Sequence, residues 1–402
     1  MILQRGENEM ENSHVNMPVT IALSGRIDSL NAEQTELDIR RHLSGSGRDL
    51  LVLDAGDLVF ISSAGLRMIL RLRKTCAGLT ITNVKSEVYE IFEMTGFTEM
   101  MTIEKAYREV SVDGCEVIGE GFNGIVYKID RETIVKVYKN EDALSAIQHE
   151  REMARLALIL GVPTAISYDV VRVGSSYGSV FELLNARSFS GILAEEPERM
   201  DWCVREYTKL LKTIHGIQVP AGKLPSIKEK ELKSILRVKE DLPADLGEKL
   251  VRMLREIPEC DHLIHGDFHT KNVVLADQDV LIIDMDTLSV GHPIFELAQM
   301  FNSYVGFSEY DPEIILAFQG FDAELAERFW KRCLAAYLQT DDLNQLENAE
   351  EKIRCLAYAE VIDWTHRHPS ADPVIYEKSL ALWTSELTAL LEKLDSLVFQ
   401  VK

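Results

Sequence analysis

Asp267 and Asn272 stand five residues apart in His265-Gly266-Asp267-Phe268-His269-Thr270-Lys271-Asn272, and Asp284 follows 17 residues later, after the apolar run Val280-Leu281-Ile282-Ile283. A carboxylate and a carboxamide on one loop, with a second carboxylate at a strand end, are what phosphoryl transfer asks for. The first carboxylate sits beside an attacking hydroxyl, and the other two groups supply oxygen ligands for Mg²⁺ on the phosphates. Upstream, Lys136 lies in Thr133-Ile134-Val135-Lys136-Val137-Tyr138, an apolar strand in which an ammonium is costly to bury unless it is paired. Phosphate groups and a helix glutamate could pair it; alone, it reads equally as an edge-strand lysine pointing to solvent. Glu150 has Met153, Ala154 and Ala157 at i+3, i+4 and i+7, so it falls on the inward stripe of its helix, whereas Glu152, with Arg155 at i+3, faces outward. Before the lysine come Gly119, Gly121 and Gly124 in a G-x-G-x-x-G run flanked by strand-like residues on both sides. No helix pattern begins at Gly124, so the run reads as a hairpin whose N–H groups face phosphates.

These residues need elements to hold them, and 402 residues are enough for two domains. Over roughly the first hundred residues, strands alternate with helices: Val19, Ile21 and Leu23; a helix from Asn31 capped by Asn31 or Ser29; Leu50–Leu53; a helix over 64–76 with Arg67, Arg71, Arg73 and Lys74 on its outer face; Leu79–Ile81; and a helix over 87–94. That alternation predicts a small α/β layer domain over 14–110. A polar stretch at 109–114 separates it from a second domain over 111–402, divided into an N-lobe over about 111–184 and a C-lobe over about 185–402. The overall class is α/β followed by α+β.

Net charge is −22, of which residues 1–110 carry −4 and residues 111–402 carry −18. Such a field repels nucleic acid and anionic lipid and attracts cations. Apolar runs fall far short of the roughly 20 residues that cross a bilayer, and no basic-then-apolar leader opens the sequence, so the cytoplasm is the expected compartment. Six scattered cysteines without a C-x-x-C pair disfavour disulfides and structural zinc.

The residues Gly25-Arg26-Ile27-Asp28 and Asp57-Leu58-Val59-Phe60-Ile61-Ser62-Ser63-Ala64-Gly65-Leu66-Arg67, with the order of strands and helices around them, resemble a STAS domain, the fold of anti-sigma factor antagonists. The resemblance implies a protein-docking unit switched by phosphorylation of a serine at a helix start, here Ser63 or Ser62. This sequence departs from the usual Asp-Ser-Ser-Gly, however, because Ala64 occupies the common acceptor slot. Capping of the helix is the other role open to these serines.

Residues 113–390 resemble the aminoglycoside phosphotransferase and choline-kinase branch of the protein-kinase-like fold. The resemblance rests on His265-Gly266-Asp267 with Asn272, on Ile283-Asp284, and on Gly291-His292-Pro293-Ile294-Phe295-Glu296-Leu297-Ala298, with glutamate where aspartate is usual. It implies a bilobal kinase-like fold with Asp267 as catalytic base, Asn272 and Asp284 as Mg²⁺ ligands, Lys136 on the α/β-phosphates, and the backbone at Glu182 and Leu184 meeting adenine.

Several other residues carry competing readings. His262, His265 and His269 invite zinc, but the resemblance gives His265 the task of holding the catalytic loop. Asp286 is either a second-metal contact or a turn residue. Leu210–His215 reads as a core helix, and Trp330, Trp364 and Trp383 read as core. Glu195, Glu196, Glu198 and Asp201 are either a solvated face or a hint of a cationic substrate. The short segment between Asp284 and Gly291 leaves no room for a long activation loop, which favours a small-molecule hydroxyl acceptor, aminoglycoside- or amino-alcohol-like. The alternative is a regulatory kinase that phosphorylates a serine in its own or a partner's STAS domain. A nucleotide-sensing pseudokinase is weakened because no motif residue is missing.

Overall fold

The computed structural model describes residues 18–43, 50–120, 124–140, 144–370 and 372–399. Gly121 therefore lies outside the described residues. The chain divides into two compact units, Met1–Val110 and Ser111–Lys402.

In the first unit, strands β1 (Val19–Ile27), β2 (Leu50–Ile61), β3 (Gly78–Val84) and β4 (Thr102–Lys105) form a parallel sheet in that order. Helices α1 (Ala32–His42), α2 (Ser63–Thr75) and α3 (Ser86–Met94) connect them. Leu53, Ile81, Met68, Ile69, Leu72 and Phe92 are fully buried at its centre. Burying these apolar side chains on both α2 and the strands is what ties helix to sheet, at about 1.5–3 kcal/mol for each large one. Helix α2 begins at Ser63 and ends at Thr75, one residue ahead of the sequence reading at both ends. Asn31 stands at the N-cap position of α1 without capping it. Its amide instead donates to the Arg26 carbonyl at 2.7 Å, and its side-chain oxygen accepts from the Asp28 amide at 2.9 Å, so it braces the turn before the helix.

The second unit starts with antiparallel strands β5 (Glu116–Glu120), β6 (Gly124–Lys128), β7 (Thr133–Tyr138), β8 (Ser167–Val173) and β9 (Ser176–Glu182), adjacent in the order β8-β9-β7-β6-β5. Helix α4 (Leu144–Ile159) buries Ile147, Glu150, Met153, Ala154 and Ala157 on one stripe. Gly124 has a packing reason of its own. A Cβ there would collide with the Val137 carbonyl of the neighbouring strand, so close strand approach already demands glycine.

The larger lobe is mostly helical: α5 (Phe189–Glu195) follows β10 (Ala186–Ser188), then α6 (Met200–His215), α7 (Ile227–Val238) and α8 (Ala244–Glu256). Short strands β11 (Leu263–Ile264), β12 (Val273–Ala276), β13 (Asp279–Ile282) and β14 (Ser289–Val290) come next. They precede α9 (Ile294–Tyr304), α10 (Pro312–Gln319), α11 (Ala323–Leu338), α12 (Leu343–Arg367) and α13 (Pro373–Lys393). Leu210, Leu211, Ile214 and His215 of α6 are buried, as is Trp330 of α11. Two antiparallel ladders frame the loops that matter: β11 pairs β14, and β12 pairs β13 with Val273 opposite Ile282. The first holds residues 265 and 288 close to neighbouring strand ends, and the second does the same for Asn272 and Ile283, whose backbones bond at 2.9 Å. Among the described residues no helix is long and apolar enough to cross a membrane.

Candidate active site

Strand β7 and helix α4 bring their charged residues together. Lys136 Nζ donates to Glu150 Oε1 at 2.8 Å and to Asp284 Oδ1 at 3.3 Å. Burial acts to lower the lysine's pKa, but the Asp284 and Glu150 carboxylates outweigh it and hold the ammonium above the ordinary lysine range. Glu150 is raised, because burial outweighs the pull of Lys136. Glu152 is exposed, as its outward position on the helix requires. Asp284 sits in left-handed backbone (φ 69°), a region costly for most side chains and tolerated by Asp. That turn aims its carboxylate back across the cleft at β7.

The loop between β11 and β12 is tied internally. The Asn272 amide nitrogen donates to the Asp267 carbonyl and to Asp267 Oδ2, both at 3.0 Å. Its amide oxygen, the atom a cation would use, takes no part in those bonds. His269 Nε2 lies 3.3 Å from Asp267 Oδ1, and the Asp267 amide donates to His265 Nδ1 at 3.2 Å. Burial raises the Asp267 pKa, but the His269 hydrogen bond and nearby imidazoles prevail, and the carboxyl is held below its usual range. Asp286 behaves oppositely: burial and then the Asp284 carboxylate raise it. Like charges gathered at one spot are relieved by a divalent cation.

Glu296 on α9 clamps this loop from below. Its two carboxylate oxygens accept the His265 amide at 2.7 Å and the Gly266 amide at 2.8 Å, and His215 Nε2 lies 3.4 Å away. Glu296 is completely buried, yet its carboxyl is held below the usual range. Burial alone would raise it, and the His215 hydrogen bond and charge overcome that. Gly266 has φ 84°, and a Cβ there would lie 2.6 Å from the Thr287 carbonyl, so only glycine lets the loop cross Thr287. Tyr304 supports the far end, accepting the Thr270 amide at 2.9 Å, while Tyr207 donates to the Phe268 carbonyl at 2.9 Å. Glu296 was legible as a motif position, but its grip on the loop was not, and nothing in local spacing pointed to Tyr207, Tyr304 or Thr287.

The remaining sequence-derived residues are placed as follows. Gly119 lies on β5 opposite Val126, beside a bulge at Val117–Gly119. Glu182 ends β9. Its backbone amide donates to the Ile166 carbonyl at 3.1 Å, its carboxylate accepts the Ile166 amide at 2.7 Å, and Leu184 follows two residues on. Of the three histidines, His262 meets Gln218 at 3.1 Å while His265 and His269 both meet Asp267, and among the described residues no group of three His, Cys, Asp or Glu side chains is arranged to hold a metal ion. Three of the four acidic residues around the end of α5 are paired: Arg187 reaches Glu195 at 2.7 Å and Glu196 at 2.5 Å, and Arg332 reaches Asp201 at 2.5 Å. Reading all three tryptophans as core needs correction, since Trp364 is 45% exposed. Helix α12 presents it to a cavity of about 510 Å³ that opens at Asp267 and is also lined by Phe307, Tyr310, Phe318 and Trp383.

In the first unit Ser62 is the N-cap of α2, its hydroxyl accepting the Ala64 amide at 3.2 Å, and Ser63 is the exposed first residue of the helix. Arg71 is exposed, as its place on the basic outer face requires, and is also tied to α1: its Nε donates to Glu36 Oε2 at 2.7 Å, while Arg40 holds the other oxygen.

The two-lobed fold and the assembled cleft define a kinase-type phosphotransferase. Comparison with known families agrees, and the chain belongs to the phosphotransferase enzyme family (APH), whose model matches residues 114–330. Residues 9–110 match the STAS domain, so the N-terminal unit is a STAS domain. A Bordetella bronchiseptica protein, BtrV, that carries the name of an anti-sigma factor antagonist is 38% identical over 85 residues, which is 20% of this chain and 72% of that protein. Among solved structures, a thermostable mutant of aminoglycoside phosphotransferase APH(4)-Ia in its apo form is 14% identical, covering 70% of this chain and 94% of its own, with a TM-score of 0.48. The streptomycin–ATP–APH(2")-IIa ternary complex is 16% identical, covering 75% and 97%, with a TM-score of 0.47.

Proposed function

We propose that the second unit transfers the γ-phosphoryl group of ATP to the hydroxyl of a small molecule, with Mg²⁺ as the required ion. The observation that carries this reading is the convergence of Lys136, Glu150 and Asp284 opposite the Asp267–Asn272 loop. Lys136, steadied by Glu150, contacts the α- and β-phosphates. Gly119, Gly121 and Gly124 are assigned to the phosphates through their backbone N–H groups, and the backbone at Glu182 and Leu184 meets the adenine. Asp267 orients the acceptor hydroxyl and takes its proton as the oxygen attacks the γ-phosphorus. The bond from that phosphorus to the β–γ bridging oxygen breaks, and ADP leaves.

The donor set suits Mg²⁺. Asn272 and Asp284 offer hard oxygens, with Asp286 adjacent, and this ion is ordinarily bound by one or two protein groups together with phosphates and water rather than by a protein cage. When bound, it neutralises charge on the transferring group. Asp284 would exchange its contact with Lys136 for one to the ion, freeing the ammonium for phosphate.

The acceptor is a small hydroxyl compound, of which aminoglycoside-like and amino-alcohol-like molecules are the kinds expected from sequence. The cavity opening at Asp267 supports a small acceptor, because its volume falls within the range that encloses one. The STAS domain serves as a regulatory or docking unit for a protein partner, and the whole acts in the cytoplasm. ATP titration into the full chain with and without Mg²⁺ tests the nucleotide reading. Mg²⁺-dependent saturable binding is expected, and absence of binding under both conditions rejects it.

A further inference from the structure

We propose that the acceptor is an uncharged hydroxyl compound with a flat, apolar body, rather than a cation. The inference rests on the phosphotransferase reading and replaces the cationic acceptor kinds expected from sequence with an uncharged one.

Three observations point the same way. The first is the wall of the cavity. Phe307 meets Trp364 edge-on at 5.6 Å and Trp383 at 6.2 Å, and Tyr310 lies 5.9 Å from Trp383, so the rings brace one another. Such a wall is formed before a ligand arrives, and it rewards a planar body by burial and stacking. Trp364 is stacked on His368 at 4.9 Å and is still 45% exposed, so a broad indole surface remains to be covered.

The second is charge. Among the described residues lining the cavity, Asp267 is the single carboxylate, and it is assigned to the reacting hydroxyl. A polycation entering here would leave ammonium groups desolvated without counter-ions, which is strongly unfavourable. Glu309, next along the chain from this wall, is no substitute, because its oxygens are taken by Arg354 at 2.9 Å and by the Tyr358 hydroxyl at 2.6 Å. Glu195, Glu196, Glu198 and Asp201 are not among the residues that line this cavity.

The third is a resident cation. Lys271 Nζ lies 5.1 Å from the ring centre of Phe318, which also lines the cavity. An aromatic face already shared with an ammonium is a poor place for a second one. A hydroxyl at Asp267 with its apolar body along Phe318, Trp364 and Phe307 matches the one carboxylate and the aromatic rings of the lining.

Calorimetric titration of the full chain, saturated with a non-hydrolysable ATP analogue and Mg²⁺, tests this with three probes: 2-(2-naphthyl)ethanol, choline and kanamycin. Saturable binding of the naphthyl alcohol at least tenfold tighter than either cation is expected. Trp364→Ala should weaken it at least tenfold, and Trp364→Phe should recover most of the loss. Equal or tighter binding of choline or kanamycin, no saturable binding of the naphthyl alcohol, or an unaltered affinity in Trp364→Ala would each overturn the proposal. The analogue is titrated first. If it fails to bind, the phosphotransferase reading falls on its own, whereas a bound analogue with the wrong acceptor order rejects only the uncharged acceptor.

Discussion

The two sides of the cleft that meet at Asp267 are built from different materials. On the side proposed for the nucleotide stand Lys136, Glu150, Asp284 and Asn272, charged or amide groups whose positions are held by strand ladders and hydrogen bonds. On the acceptor side stand aromatic rings from separate helices and turns that touch mainly one another. Under the proposed function the first side would handle phosphates, whose charge calls for directional partners at short range. The second would recognise its ligand by shape and burial, and those allow many ring combinations to do the same work. The difference would then mark where the function is constrained by chemistry and where it is free to change its ligand.

The largest effect expected is at the meeting point. Asp267→Asn should lower turnover by on the order of 10²–10⁴ while leaving ATP affinity intact, because it removes the proton acceptor without touching the phosphate contacts. Acceptor-dependent ADP release checks the first half and calorimetry the second. Equal loss of ATP affinity would dissolve the contrast between the two sides.

Glu296→Ala comes next, since it deprives two buried amides of a charged acceptor. At about 1.5–3 kcal/mol for each such bond, a loss of several kcal/mol should appear in chemical denaturation. Asp284→Ala should raise the Mg²⁺ concentration needed for half-maximal ATP binding, and an unchanged Mg²⁺ titration would refute its role. It should leave the affinity for an acceptor probe nearly unaltered, which separates the two sides directly.

The pH profile sharpens the comparison further. Asp267 is held below the usual carboxylate range, so it remains ionised at neutral pH and loses its capacity to accept a proton only as pH falls through that lowered value. kcat/KM should accordingly stay flat from neutrality through mildly acidic solution and then fall. A fall centred near neutrality would point to a histidine instead.

The smallest effect lies outside the cleft. Ser62→Ala should cost about 0.5–2 kcal/mol through the lost cap, and Ser63→Ala almost nothing, because Ser62 is the residue whose hydroxyl accepts the Ala64 amide. Mass spectrometry after incubation with ATP then decides whether Ser63, the exposed one, carries phosphate.

How much was legible follows the same division. That Asp267 and Asn272 share one loop and that Lys136 and Asp284 come together was readable from residue types at particular strand ends, and the inward position of Glu150 from the helical periodicity that told it from Glu152. The alternation of strands and helices in residues 19–105 was readable from apolar pattern and turn residues. The aromatic wall was not. Phe307, Phe318, Trp364 and Trp383 are spread over more than 70 residues, and each taken alone looks like core. Only the packing of α12 and α13 around α10 and the segment before it places them on one surface. The engagement of Arg71 by Glu36 was equally hidden, since 35 residues separate them.

The carboxylate fork from Glu296 has a consequence in time. His265 and Gly266 belong to a loop, and loop amides usually trade their hydrogens with water quickly. Here both are donated to an acceptor on a helix whose inward side chains are fully buried. Their exchange must wait until α9 itself comes away, an opening of the kind that costs nearly the whole stability of a folded unit. These two amides should therefore be among the slowest in the larger lobe. The catalytic loop would then persist as long as the lobe's core does and vanish in the same event.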